Sequence, residues 1–167
     1  LLGGRLADRY GHRRLFLIGT IGFIIGSALV GLSVAGGMLL GARALQGAAA
    51  AILAPAALAL LTHLFPDPAQ RSKSIGIWGA VAGIGSGAGV LLGGVLTATF
   101  GWRSVFFINV PIGIIAVVAA LLLITRDPKG LPGKLDIPGA TTVTAALTAA
   151  VAALSFAQRS GFSSPLP

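Results

Sequence analysis

The residue types that can do chemistry are concentrated at two places in this chain. Residues 3–14 (GGRLADRYGHRR) hold four arginines, one aspartate and three glycines in twelve positions. Asp8 can accept charge-assisted hydrogen bonds from arginines or cap a helix, and Gly4 and Gly11 permit close packing or a positive φ. The second place is Arg43, which lies inside an apolar run. A buried arginine there marks a polar pathway or an ion pair, unless its side chain snorkels to a membrane interface.

Composition indicates that these residues are carried by a membrane protein. Of the 167 residues, 55% are hydrophobic and only 10% are charged, against roughly 25% charged residues in an ordinary soluble domain. The net charge of +8 could suggest nucleic acid, but proteins that bind nucleic acid cluster basic residues on a polar face. Here the charges lie between long apolar runs. We therefore expect the lipid bilayer, and no nucleic acid, as a partner.

Catalytic and metal chemistry have little support in the residue pattern. Cysteine is absent, which excludes a disulfide framework and a thiolate metal site. The sequence contains no Ser/His/Asp constellation, and its two histidines stand apart in sequence. His63 is interpreted as an interfacial residue. We expect no enzymatic activity, no metal and no cofactor.

Five apolar stretches are long enough to cross a bilayer, because a helical span needs roughly 20 residues. They are predicted at residues 15–32, 38–64, 75–100, 105–125 and 137–157. The first turn is predicted at Gly36-Gly37, with Arg43 as the alternative position. Pro66-Asp67-Pro68 is expected to end the second span, and Asp136 to cap the fifth helix.

The connections predict an orientation, because positively charged loops stay in the cytoplasm. Alternate loops place nine basic residues on one side and two, Arg103 and Arg159, on the other. Residues 1–14, 66–74 and 126–136 are therefore predicted to be cytoplasmic.

Residues 4–14 (GRLADRYGHRR) resemble the signature loop between the second and third spans of the major facilitator superfamily, G-x-L-A-D-R-x-G-R-R-R. His12 departs from that pattern, where the family usually has a basic residue. The resemblance implies a loop that gates the cytoplasmic side, with these candidate residues: Gly4, Asp8, Arg9, Gly11, Arg13 and Arg14. The alternative is that Arg13 and Arg14 only enforce topology, a role that does not require Asp8.

Residues 39–47 (LLGARALQG) are similar to the fourth-span motif of the same family, L-x-x-x-R-x-x-Q-G. The resemblance implies a role in proton coupling or in the transport path for Arg43, Gln46 and Gly47. All four acidic residues lie outside the predicted spans. Arg43 is therefore expected to be satisfied by carbonyls, water and Gln46, or by a partner in a segment outside this chain.

The third predicted span contains seven glycines after residue 78. Each glycine costs about 1 kcal/mol in an exposed helix, so their number suggests close helix packing. Residues 89–94 (GVLLGG) also resemble the fifth-span antiporter motif G-P-x-x-G-G, with Val90 in place of the proline. The candidates for packing or for this antiporter-like motif are Gly85, Gly89, Gly93 and Gly94. The substitution leaves open whether the helix kinks there and whether transport is antiport or symport.

Residues 101–113 (GWRSVFFINVPIG) are similar to the start of the sixth span in drug-exporting members of the family. Asn109 and Pro111 either open a helix turn toward a cavity or serve as local capping. The short connection at 126–135 leads directly into another apolar helix, and residues 135–139 (LDIPG) resemble the fourteen-span drug:proton antiporters.

The resemblance implies an all-α polytopic membrane helix bundle, a partial major facilitator fold with about five transmembrane helices. Residues 1–135 would form part of the N-terminal six-helix bundle, from the end of span two through span six. Residues 136–167 would begin the extra helices between the two halves.

The function implied by the resemblance is proton-coupled efflux of drugs or other small lipophilic or cationic compounds across the plasma membrane. The expected partners are a small-molecule substrate, protons and the missing helices of the same full-length protein. Two alternatives are a porter for a sugar or an organic anion, and a non-transporting membrane fragment that packs against other helices.

Overall fold

The computed structural model describes residues 10–125 and 137–160, and the regular secondary structure in these ranges is helical throughout. The helices are α1 (His12–Gly31), α2 (Gly36–Leu64), α3 (Pro68–Phe100), α4 (Ser104–Phe107), α5 (Asn109–Leu123) and α6 (Ile137–Ser160). Helices α1–α5 belong to one compact unit and α6 belongs to another. The all-α fold class is confirmed.

Four helical stretches are long and apolar enough to cross a membrane. They are α1, α2, α3 and the run Ser104–Leu123, which combines α4 and α5. These stretches agree with the first four predicted spans. The fifth predicted span corresponds to α6, whose apolar part Thr141–Ala157 is shorter than the roughly 20 residues that a span needs.

The turn between α1 and α2 occupies residues 32–35. Gly36-Gly37 forms the start of α2 and Arg43 lies well inside that helix, so both predicted positions of the turn were wrong. Helix α1 ends at Gly31, and Ser33 follows it in the turn. The Ser33 hydroxyl donates to the Val30 carbonyl oxygen at 2.7 Å, satisfying a carbonyl that has no partner within the helix. The two glycines can begin α2 without the loss of a hydrogen bond, because the first N–H groups of a helix have no acceptor within it.

The break between α2 and α3 lies where the proline pair predicts it. Asp67 is the N-cap of α3, and its carboxylate accepts hydrogen bonds from the N–H groups of Ala69 and Gln70 at 3.1 and 2.9 Å. Pro68 is the first helical residue, where a missing N–H costs nothing. The cap predicted at Asp136 lies outside the described residues.

Helix α1 packs against α2 along one face that contains three glycines. Positions His12, Leu15, Gly19, Gly22 and Gly26 alternate in spacings of three and four, which places them on one face. A Cβ atom at Gly19 would lie 2.9 Å from the Cα of Leu53, and one at Gly26 would lie 2.8 Å from the Cα of Gln46. The two backbones are therefore in direct contact, as in small-xxx-small helix pairs in membranes.

Helices α4 and α5 also pack against α1. A Cβ atom at Gly31 would lie 2.8 Å from the ring of Phe107, and one at Gly113 would collide with the side chain of Ile24. The side chains of Phe107 and Ile24 therefore occupy the space that a larger residue at Gly31 or Gly113 would need. Helix α1 contacts both α2 and the α4–α5 segment, and it is the most buried of the membrane-length helices.

Helix α3 differs from α1, because none of its 33 residues is buried. No described atom lies within 4 Å of a Cβ built at Gly85, Gly89, Gly93 or Gly94. In the described part of the chain the close glycine contacts are made by α1 and α5, which sequence reasoning did not single out. The packing role of the α3 glycines stays a prediction.

The α1–α2 contact predicts a cross-link between Gly22→Cys and Ala49→Cys. A Cβ atom at Gly22 would lie 3.1 Å from the Cβ of Ala49, within a few tenths of an ångström of the roughly 3.5–4.5 Å found in disulfides. Because the chain has no cysteine, copper phenanthroline should join α1 to α2 through this pair. After cleavage at a protease site inserted in residues 32–35, the two pieces should stay together on a non-reducing gel.

Gly22→Cys with Ala48→Cys is the matched control, since Ala48 is exposed on another face of α2. Equal cross-linking of the two pairs would contradict the described register.

Candidate functional site

A cluster of polar side chains joins three helices inside the bundle. Arg43 and Gln46 come from α2, Ser27 from α1 and Asn109 from the start of α5. Arg43 Nη1 donates to Gln46 Oε1 at 2.9 Å, and Gln46 Nε2 donates to Ser27 Oγ. Asn109 Nδ2 donates to the same Ser27 oxygen at 3.3 Å. We call these four residues the polar cluster.

The polar cluster is buried at its centre. Ser27 has 0% of its surface exposed and Gln46 has 4%. Buried polar groups need hydrogen-bond partners, and here each amide supplies a donor that the serine oxygen accepts. The cluster lies about one to three helical turns inside the end of the bundle that holds the turn at residues 32–35.

The side-chain amide of Gln46 can have only one orientation in this arrangement. A guanidinium is a donor without acceptor atoms, so Arg43 requires the amide oxygen to face it. The amide nitrogen then faces Ser27, whose oxygen accepts. The orientation follows from the chemistry of the neighbours.

Arg43 is turned toward the cluster. Its guanidinium carbon lies 5.1 Å from the centre of the Phe106 ring, within the range of a cation–π contact. Its hydrogen bond goes to Gln46, one turn farther from the start of α2 than Arg43 itself. The hydrogen bond to Gln46 is directed away from the nearer end of α2, whereas the Phe106 ring lies on the side of the turn at residues 32–35. Of the partners expected from the sequence, the structure shows Gln46.

A pair of aromatic rings lies between the polar cluster and Arg103, which belongs to the loop between α3 and α4. Phe106 meets Trp102 edge to face at 6.1 Å, and the guanidinium carbon of Arg103 lies 5.3 Å from the centre of the Trp102 ring. Arg103 Nη2 also donates to the Ser33 carbonyl oxygen at 2.8 Å. Arg43 and Arg103 are thereby positioned at the two ends of one aromatic pair.

Asn109 and Gly47 differ in how they relate to the cluster. Asn109 begins α5 and reaches across to Ser27, with a second contact of 3.5 Å to the Val105 carbonyl oxygen. It therefore links helices, which neither interpretation from the sequence anticipated. Gly47 is exposed, with no described atom within 4 Å of a Cβ built there. The structure thus brings together two of the three residues of the predicted transport path.

The structure describes only the last part of the predicted gating loop. Gly11 adopts a φ of 94° just before α1, which fits the glycine freedom expected there. Arg13 Nη2 donates to the Leu121 carbonyl oxygen in the last turn of α5 at 2.8 Å, where the helix dipole favours a cation. Arg14 is exposed. Gly4, Asp8 and Arg9 lie outside the described residues.

Two histidines that are far apart in sequence meet at this same end of the bundle. The rings of His12 and His63 stack with centroids 5.2 Å apart and planes inclined by 14°. Sequence reasoning treated each histidine as isolated. Antiparallel packing of α1 against α2 brings the two histidine rings together, and Leu15 and Ala56 meet in the same interface. This antiparallel pairing is the signal from which the contact could have been predicted.

Four membrane-length helices, with a polar cluster buried at Ser27 and Gln46, define a multi-pass membrane protein. Arg43 joins this cluster from a position that is exposed on the described part of the chain. The Major Facilitator Superfamily profile matches residues 1–167, and the chain belongs to that superfamily. Its place is the cell membrane.

Three relatives illustrate the similarity. The puromycin resistance protein pur8 of Streptomyces alboniger is 44% identical over 99% of this chain, and the cephamycin export protein CmcT of Amycolatopsis lactamdurans is 46% identical over 89%. The tetracenomycin C resistance and export protein of Streptomyces glaucescens is 40% identical over 88%. The matches cover 33%, 31% and 27% of these relatives, so the chain spans about a third of their length or less.

The Arg13 contact predicts different effects for two neighbouring arginines. Arg13→Ala removes the donor to the last turn of α5 and should lower the free energy of unfolding by about 1 kcal/mol. Arg14→Ala, the matched control, removes the same positive charge from the same end of α1 and should leave stability nearly unchanged. Thermal unfolding in detergent measures both. Equal shifts in Tm would leave Arg13 with a topology role only.

Proposed function

We propose that this chain is part of a secondary active transporter that exports drugs or other small lipophilic or cationic molecules in exchange for protons. Membership of the superfamily supports transport rather than enzymatic activity. The names of the relatives, which refer to puromycin resistance, cephamycin export and tetracenomycin C export, support antibiotic-like substrates over sugars or organic anions.

The observation that carries this proposal is Arg43 held within the polar cluster. An arginine within a span costs roughly 2.5–3.5 kcal/mol on insertion scales, so a retained one points to a function. Arginine does not release its proton at physiological pH. Arg43 therefore acts on protonation electrostatically: a positive charge within about 4–6 Å favours the ionised form of a carboxylate. The carboxylate would come from a helix outside this chain.

The parts of the chain take different roles in this transporter. Residues 1–135 form part of the N-terminal bundle, and residues 136–167 begin the extra helices between the halves. Residues 1–14, 66–74 and 126–136 face the cytoplasm. The glycines of α3, which meet no described residue, pack against helices outside this chain. The two halves rock about a central site.

The loop at residues 4–14 gates the cytoplasmic side. Its described end supports this role, because Arg13 ties the start of α1 to the last turn of α5. A contact of this kind holds two helix ends together in one state and is released when the ends separate. In this proposal Asp8, from the same loop, accepts hydrogen bonds from the arginines of the loop.

Arg43→Ala should lower proton-driven efflux by about tenfold or more, equivalent to at least 1.4 kcal/mol, because the charge that favours proton release is lost. The measurement is ethidium efflux from proteoliposomes that contain the whole transporter, with an imposed pH gradient. Arg71→Ala, which removes an exposed positive charge outside the gating loop, is the control. Membrane insertion should be the same for both variants, and an unchanged efflux rate would remove Arg43 from the mechanism.

Asp8→Asn should slow the transport cycle by about tenfold, since a neutral amide is a weaker acceptor for arginine donors. Asp67→Asn is the matched control: it neutralises another acid predicted to be cytoplasmic, at an N-cap where asparagine works as well as aspartate. Transport rates and the accessibility of loop tags are compared in the two variants. If Asp8→Asn transports at the wild-type rate, only the topology role of the loop remains.

A further inference from the structure

We propose that Ser27 is a positioning residue for Arg43 that acts through Gln46, with Asn109 as its second partner. The inference rests on the proposed function, because it assigns to Ser27 the orientation of the charge that serves proton coupling. Neither Ser27 nor Asn109 contacts the guanidinium in the described contacts. Both act on it through the hydrogen bonds of the polar cluster.

Ser27 is the point where the hydrogen bonds of the cluster converge. Its hydroxyl oxygen has two acceptor positions, and the structure directs one amide to it from α2 and one from α5. Its side chain is fully buried. This fully buried hydroxyl therefore connects α1 to two other helices. The hydroxyl of Thr20 differs, because it donates only to the Phe16 carbonyl oxygen of its own helix.

The amide of Gln46 needs Ser27 because its two ends are chemically different. The terminal torsion of glutamine has two broad orientations that exchange the oxygen and the nitrogen. Only one of them presents the oxygen to Arg43. Arg43, a donor without acceptor atoms, sets that orientation, and Ser27 fixes the position of the amide by accepting from its nitrogen. Without this acceptor, the buried amide nitrogen loses its partner and the amide is held at one end only.

The backbone at the neighbouring position makes this arrangement possible. A Cβ atom at Gly26 would lie 2.8 Å from the Cα of Gln46, so only a glycine allows α2 to come this close. The close contact places the amide within reach of Ser27. The orientation of Arg43 therefore depends on the packing of α1 against α2, and Asn109 extends the dependence to α5.

Ser27→Ala tests the proposal, with Ser33→Ala as the matched control. Ser33 is a buried serine near the same end of α1, with 3% of its surface exposed, and its hydroxyl bonds only within its own turn. The whole transporter is reconstituted in proteoliposomes with ethidium as the probe. Two rates are measured: efflux driven by a pH gradient, and exchange of labelled for unlabelled ethidium without a gradient.

Ser27→Ala should lower the gradient-driven rate by about fivefold, the effect of losing one hydrogen bond, while the exchange rate and the KM for ethidium change less than about twofold. Ser33→Ala should leave both rates within about twofold. Gradient-driven efflux that Ser27→Ala leaves unchanged would overturn the positioning role. A parallel fall in both rates would also overturn it, since that pattern reports a general loss of structure.

A second variant keeps the test informative if the Ser27→Ala protein fails to accumulate in the membrane. Asn109→Ala removes the other donor to Ser27 and should show the same split with a smaller effect, about threefold on gradient-driven efflux. Equal effects of Asn109→Ala on the two rates would overturn the proposal. Failure of the proposed function looks different, because the wild-type protein itself would then show no gradient-driven efflux.

Discussion

Direct backbone contact between α1 and α2 is the constraint on which the rest of the bundle depends. Lipid tails are as apolar as leucine, so helices in a membrane associate through close packing and hydrogen bonds rather than through the hydrophobic effect. At Gly26 the missing side chain lets α2 approach until Gln46 reaches the neighbouring Ser27. One contact therefore serves two purposes: it holds the helix pair, and it places the polar groups that orient Arg43.

The charged residues at the two ends of α1 complement this packing. At one end Arg13 donates to the last turn of α5, and at the other Arg103 donates to the carbonyl of Ser33 just beyond α1. Both arginines satisfy carbonyl groups at or near a helix C-terminus, where the partial charge is negative. The basic residues that orient a chain in the membrane can thus also fasten its helices to one another.

Much of the fold could be predicted from the sequence because bilayer thickness limits the length of a span. The Arg43–Gln46 contact could also be predicted from the sequence, since residues three apart share one face of a helix. Contacts between helices could not be predicted, because hydropathy does not say which helices are neighbours. For that reason Ser27 and the histidine stack were missed. The glycine row in α1 was visible as alternating spacings of three and four, but the denser glycines of α3 were the ones interpreted as packing residues.

The length of α3 has a mechanical consequence. Its apolar residues 75–100 span about 39 Å at 1.5 Å per residue, whereas the hydrocarbon core of a bilayer is about 30 Å thick. A helix with such hydrophobic mismatch tilts, or the lipid around it thickens. Since α3 buries none of its residues against the described part of the chain, little in that part restrains its tilt. A membrane of different thickness therefore changes the mismatch that α3 and the helices packed against it must accommodate.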